Sequence, residues 1–124
     1  MSEIKRYAST SPFPLSRAVR AGDFLLLSGQ IPVDKTGQVI RGDIAAQTHA
    51  VMERIGETLA LGGAGFGDVV RATVWLSNLA DFAAFNEVYR SYFAQGFPTR
   101  STVEAKLALD VGVEIEVQAW TPSK

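Results

Sequence analysis

The chain has 124 residues, 47% of them apolar and 20% charged, with a formal net charge of −1 and no cysteine. Such a composition suits one globular domain, 1–124, with a real core. It excludes disulfides, thiol nucleophiles and thiolate metal sites, and the scattered Lys and Arg argue against sequence-independent nucleic-acid binding.

In chain order, Met1 to Thr10 is polar and lacks the apolar core of a signal peptide, so a cytoplasmic protein is expected. Ile4 to Tyr7 reads as a short strand, and Ser11 to Pro14, with its prolines, as a loop. Ser16 to Arg20 and Phe24 to Ser28 flank Ala21-Gly22-Asp23 as a hairpin. The second of these strands is continuously apolar, which predicts burial on both faces, yet Phe24 to Leu27 is far too short to cross a bilayer. Gly29 to Gly42 is mostly loop, with a turn at Asp34 to Gly37. Asp43 can cap a helix in which Ile44, Thr48, Val51, Met52, Ile55 and Leu59 make one buried stripe, ended by Gly62-Gly63.

Val69 to Leu76 alternates, Val70, Ala72, Val74 and Leu76 opposing Arg71, Thr73 and Trp75. A second helix begins near Leu79 to Asp81 with Phe82, Phe85, Tyr89, Tyr92 and Phe93 as its apolar stripe, and Gly96 to Pro98 stops it. Two strands close the chain. The order β-β-β-α-β-α-β-β predicts an α+β fold, a mixed sheet with two helices packed on one face. Trp75, Thr73, Arg71, Thr102 and Glu114 are candidates for the opposite face, too apolar in part for solvent, which predicts burial against another copy of the chain.

The chemistry is sparse. Gly62 to Gly67 is glycine-rich but follows a helix and precedes a strand, the reverse of a phosphate-binding loop, so it reads as a connection. His49, the single histidine, reads as a surface residue and cannot build a His-based zinc site. Ser28-Gly29-Gln30 ends the most apolar strand, and Asn86 sits beside the second helix's stripe; either could line a cleft or be a plain boundary residue. In the closing strands, Glu114, Glu116 and Gln118 alternate with Val113, Ile115 and Val117, and Arg100 follows Pro98. If the two runs pair, Arg100 and Glu114 could converge on a pocket for a small carboxylate; the alternative is a solvated sheet face with an ion pair.

Taken together, Ala18-Val19-Arg20-Ala21-Gly22-Asp23, Ser28-Gly29-Gln30-Ile31-Pro32, Gly67-Asp68-Val69-Val70, Leu79-Ala80-Asp81-Phe82 with Asn86, Pro98-Thr99-Arg100-Ser101-Thr102-Val103-Glu104 and Val113-Glu114-Ile115-Glu116 resemble the RidA/YjgF family. Its members are imine and enamine deaminases, also described as endoribonuclease L-PSP-like proteins. The resemblance implies a chorismate-mutase-like fold with a six-stranded sheet, a homotrimer with clefts at subunit interfaces, and no cofactor or metal. It implies hydrolysis of 2-enamine and 2-imino acids, of the 2-aminoacrylate and 2-iminopropionate type, to 2-keto acids and ammonia. By resemblance, Arg100 binds the substrate carboxylate, Glu114 positions the attacking water, Ser28 and Asn86 line the cleft, and Thr102 stands where many members have cysteine. Leu15, with Phe13 two residues earlier, stands where the best-studied type has a tyrosine, so a phenol is missing there. The alternatives are a non-catalytic trimeric sensor of small carboxylates and a specialised deaminase of a larger catabolic imine or enamine. Ribonuclease action is disfavoured by the neutral charge and the single histidine.

Overall fold

A computed structural model of the chain describes residues 3–122; the ends of the expected 1–124 domain lie outside the described residues. The hairpin signals produce β1 (Ile4–Ala8), β2 (Ser16–Ala21) and β3 (Phe24–Leu27), with Gly22 at the β2–β3 turn at φ +61°, where a side chain would be strained. Helix α1 (Ile44–Leu61) starts where Asp43 accepts a bond from the Ala46 amide at 2.9 Å and ends at Gly62, followed by Gly63 at φ +77°. Strand β4 (Val69–Leu76), a 3-10 turn at Leu79–Asp81, helix α2 (Phe82–Arg90), β5 (Thr99–Glu104) and β6 (Val113–Trp120) complete the chain.

The strands form one six-stranded sheet in the order β1-β2-β3-β6-β4-β5, in which only β4 and β5 run parallel. Both helices cover the same face. Val51, Met52, Ile55 and Leu59 of α1 and Phe85 of α2 are buried with Leu25, Ala72, Val74, Val113, Ile115 and Val117 of the sheet. Among the described residues no helix is long and apolar enough to cross a membrane.

Four expectations need correction. First, β3 is buried on one side only: Leu25 and Leu27 face the helices, whereas Phe24 and Leu26 are 46% and 37% exposed. The helices cover one face, and a single chain has nothing for the other. Second, Val70 is exposed and Val69 buried, because a bulge between Val69 and Arg71 slips the start of β4 by one residue against β6. Third, β5 and β6 do not pair; β4 lies between them. Fourth, Thr102 does not share the open face with Trp75. It sits level with Val74 in the parallel β4–β5 register, and level residues share a face, so it looks toward the helix side.

Helix α2 also ends earlier than its aromatic stripe. Tyr92 and Phe93 lie beyond Arg90 in a turn, although Phe93 remains buried against Phe66 and Tyr89. The residues left open opposite the helices include Phe24, Leu26, Val103 and Trp120, all large and apolar. They are interspersed with Arg71, Thr73, Glu114, Glu116 and Gln118, a mixed face.

Candidate active site

Pro98 and the parallel register with β4 aim Arg100 at α2. Arg100 sits level with the buried Ala72, and its guanidinium carbon lies 5.5, 5.4 and 4.9 Å from the ring centres of Phe82, Phe85 and Tyr89. Three aromatic faces hold the cation without neutralising it. Among the described residues the ion pairs are those of Arg54 with Glu53 and Glu57, and no carboxylate pairs with Arg100. A partly buried arginine without a counter-anion is a site waiting for one.

The room for it is adjacent. A cleft of about 270 Å³ is lined by Asn86, Tyr89, Arg90, Phe97, Pro98 and Arg100. The Tyr89 hydroxyl is buried and has no hydrogen-bond partner among the described residues. Burial raises its pKa, with Arg100 acting against that rise, so the phenol is a donor at neutral pH. Thr102 lies two residues beyond Arg100 on the same side of β5.

Ser28 and Glu114 lie in a second group, and Leu15 is exposed. The Ser28 hydroxyl donates to the carbonyl of Ser16 at 2.6 Å, which ties the end of β3 to the residue after Leu15. Gln30 and Ile115 exchange backbone bonds at 2.8 and 3.1 Å, which draws Gly29 against β6. A Cβ at Gly29 would overlap the carboxylate of Glu114, so only glycine lets that carboxylate lie where it does. Burial, and then the nearby Glu116 carboxylate, raise the pKa of Glu114 above its ordinary value.

That shift has a sign that can be checked. The folded chain holds a proton on Glu114 at a pH where the unfolded chain has lost it, so the ionised form costs stability at neutral pH. The cost is relieved as pH falls through the raised value. Glu114→Gln is therefore expected to resist urea better than the parent at pH 7, with the difference gone below about pH 4, the ordinary carboxylate range. Equal urea midpoints at pH 7 would show that burial of this carboxylate carries no cost.

The sequence-predicted residues thus fall into two sets, Arg100, Asn86 and Thr102 on the helix side and Ser28 and Glu114 on the other, with Leu15 in the exposed loop before β2. Glu114 sits level with Trp75 between the buried Val113 and Ile115, and so points away from the helices. Arg100 and Glu114 lie on opposite faces of one sheet and do not meet within a chain. Three contributors escaped the sequence reading. Phe82, Phe85 and Tyr89 read as core stripe, yet together they floor Arg100; the signal was an arginine and an aromatic i, i+3, i+7 row whose contact depends on the fold. Gly29 was legible as part of a strand end that could line a cleft, but nothing local marks its clearance for Glu114. Among the described residues no cluster of His, Asp and Glu side chains could hold a metal ion. His49 is exposed on α1, its Nδ1 2.8 Å from the hydroxyl of Tyr92.

A family model described as Endoribonuclease L-PSP matches residues 5–121. The chain is 46% identical over 109 residues to a RutC family protein of Pyrococcus horikoshii, covering 86% of each. It is 36% identical over 124 residues to the human 2-iminobutanoate/2-iminopropanoate deaminase, covering 95% of this chain and 90% of that one. Its fold superposes on a Rid-family protein, YyfA of Yersinia pestis, with a TM-score of 0.91 at 32% identity, covering 96% of this chain and 100% of that one.

Proposed function

The chain belongs to the endoribonuclease L-PSP family, the RidA/YjgF family of its sequence motifs, and from that premise we propose that it hydrolyses 2-imino acids to 2-keto acids and ammonia. The observation that carries the reading is Arg100, unpaired over three rings at the wall of a cleft. A small carboxylate is the anion that a planar fork in such a cleft grips best, through two parallel N–H···O bonds. The unpartnered Tyr89 hydroxyl beside it supports a bound polar ligand, since a buried hydroxyl otherwise leaves a bond unmade.

Glu114 supplies the chemistry. It is spared an arginine partner, and its raised pKa brings it nearer to that of a working base. It holds a water against C2 and takes its proton as the water oxygen bonds to C2. The C=N π pair moves to nitrogen, which takes that proton back from Glu114 and restores the carboxylate; the carbinolamine's hydroxyl proton then passes through solvent to nitrogen. The resulting carbinolamine loses ammonia and leaves the 2-keto acid. The carbon is already electrophilic, so positioning and modest proton transfer are enough. In this reading Ser28 and, by the family pattern, Leu15 belong to the Glu114 side of the site, and Asn86 and Thr102 to the Arg100 side.

Because Arg100 and Glu114 lie on opposite faces of the sheet, one substrate meets both only when neighbouring copies each supply one. A closed ring of three, packed through the open sheet face, does this three times over. A ribonuclease reading, which the family's description invites, would have to rest on His49, and that side chain is tied to Tyr92 on α1 rather than set beside Arg100.

The test is direct. 2-Iminopropionate is generated in situ by an amino-acid oxidase and keto-acid formation is followed with and without the protein. Tight binding of pyruvate without acceleration would favour a sensor instead. In the same assay Gly29→Ala is expected to fold normally, because the overlap is with a movable side chain, and to lower kcat while sparing KM. A displacement of the carboxylate by about 1 Å is enough to cost roughly 10- to 100-fold. An unchanged kcat would mean that the position of Glu114 is immaterial.

A further inference from the structure

We infer that the cleft takes a 2-imino dicarboxylate, the imine of an acidic amino acid, with Arg90 holding the second carboxylate while Arg100 holds the first. This rests on the imine-hydrolase reading for its chemistry but on different residues for its selectivity. Arg90 is the last residue of α2, exposed at the rim of the cleft that Arg100 walls. Among the described residues neither arginine has a carboxylate partner. The side chains that line the cleft are two guanidiniums, one amide, one phenol, Phe97 and Pro98, with no acid among them. A monocarboxylate would neutralise one of the two cations and leave the other unmatched.

The placement of Arg90 fits as well. Asn86 and Arg90 stand one helical turn apart on the same side of α2, about 5–6 Å between Cβ atoms. The long Arg90 side chain, rooted one turn beyond Asn86, borders the same cleft as Arg100. A dicarboxylate with its first carboxylate on Arg100 can turn its second to Arg90, because both arginines line the one cleft. The cleft volume of about 270 Å³ leaves room for a side chain longer than a methyl group. Phe97 and Pro98 cover the methylenes between the two charges.

The experiment has two arms on the intact protein. In the first, kcat/KM is measured for 2-iminoglutarate and for 2-iminopropionate, each generated in situ, in the parent, Arg90→Gln and Arg90→Lys. In the second, their products 2-oxoglutarate and pyruvate are titrated by calorimetry, which needs no turnover. The parent is expected to prefer the dicarboxylate in both arms. Arg90→Gln is expected to reduce that ratio about fivefold, the upper range for a solvent-exposed ion pair, and Arg90→Lys to restore part of it. A parent that hydrolyses 2-iminopropionate without any Arg90-dependent preference in either arm overturns this inference alone. A parent inert to both imines that binds 2-oxoglutarate over pyruvate through Arg90 overturns the enzyme reading and leaves the dicarboxylate site standing. No preference and no turnover overturns both.

Discussion

Arg100→Ala is expected to reduce kcat/KM for 2-iminopropionate by about 100-fold or more. Each hydrogen bond to a charged group is worth roughly 1.5–3 kcal/mol, and the guanidinium offers the carboxylate two of them. Losing about 3 kcal/mol of transition-state binding is about two powers of ten in rate. The fold should survive. Arg100 is at the edge strand, and Phe85 and Tyr89 beneath it are buried by the core in any case, so the urea midpoint reports a correctly folded variant. Arg100→Lys keeps the charge over the three rings but loses the fork, and should recover only a small part of the rate. Parent-like turnover by Arg100→Ala would refute the clamp and, with it, the role given to the cleft.

Mixing two inactive variants should restore activity. Arg100→Ala spoils one half-site and Glu114→Ala the other, and each variant alone leaves every site incomplete. In the proposed ring, a site takes its arginine from one subunit and its glutamate from the next. A site is whole when a subunit with Arg100 follows one with Glu114, so random assembly from equal amounts leaves about a quarter of the sites intact. Unfolding and refolding the two variants together is therefore expected to raise activity from near background to about one-quarter of the parent, and the same treatment of either alone to leave it unchanged. Failure to recover in proven mixed assemblies would mean that both residues act within one chain, contrary to their opposite faces.

Much of the fold was legible locally. The cap at Asp43, the stripe from Val51 to Leu59, the Gly62-Gly63 stop and the alternation in β6 are each set by near neighbours, and each occurs where the spacing put it. What misled was anything that depended on a partner strand. The bulge at Val69–Arg71 is invisible without β6, and it turns Val70 outward. Thr102 changed sides because β5 runs parallel to β4 in a particular register. The convergence of Arg100 and Glu114 assumed that β5 and β6 are neighbours, whereas β4 separates them.

The site divides in the same way. Sequence alone determined the chemical inventory: a permanent cation, a carboxylate, an amide and a hydroxyl, with no thiol and a single histidine. It determined the alternation that keeps Glu114 off the core, because strand side chains alternate whatever the strand packs against. Only the tertiary structure decided that Phe82, Phe85 and Tyr89 floor Arg100, that Gly29 makes way for Glu114, and that the two halves look out from opposite faces. The reason is physical. Propensity and periodicity are short-range properties of a chain, whereas strand order and register are settled by the burial of a whole face, and that burial chooses which distant residues become neighbours.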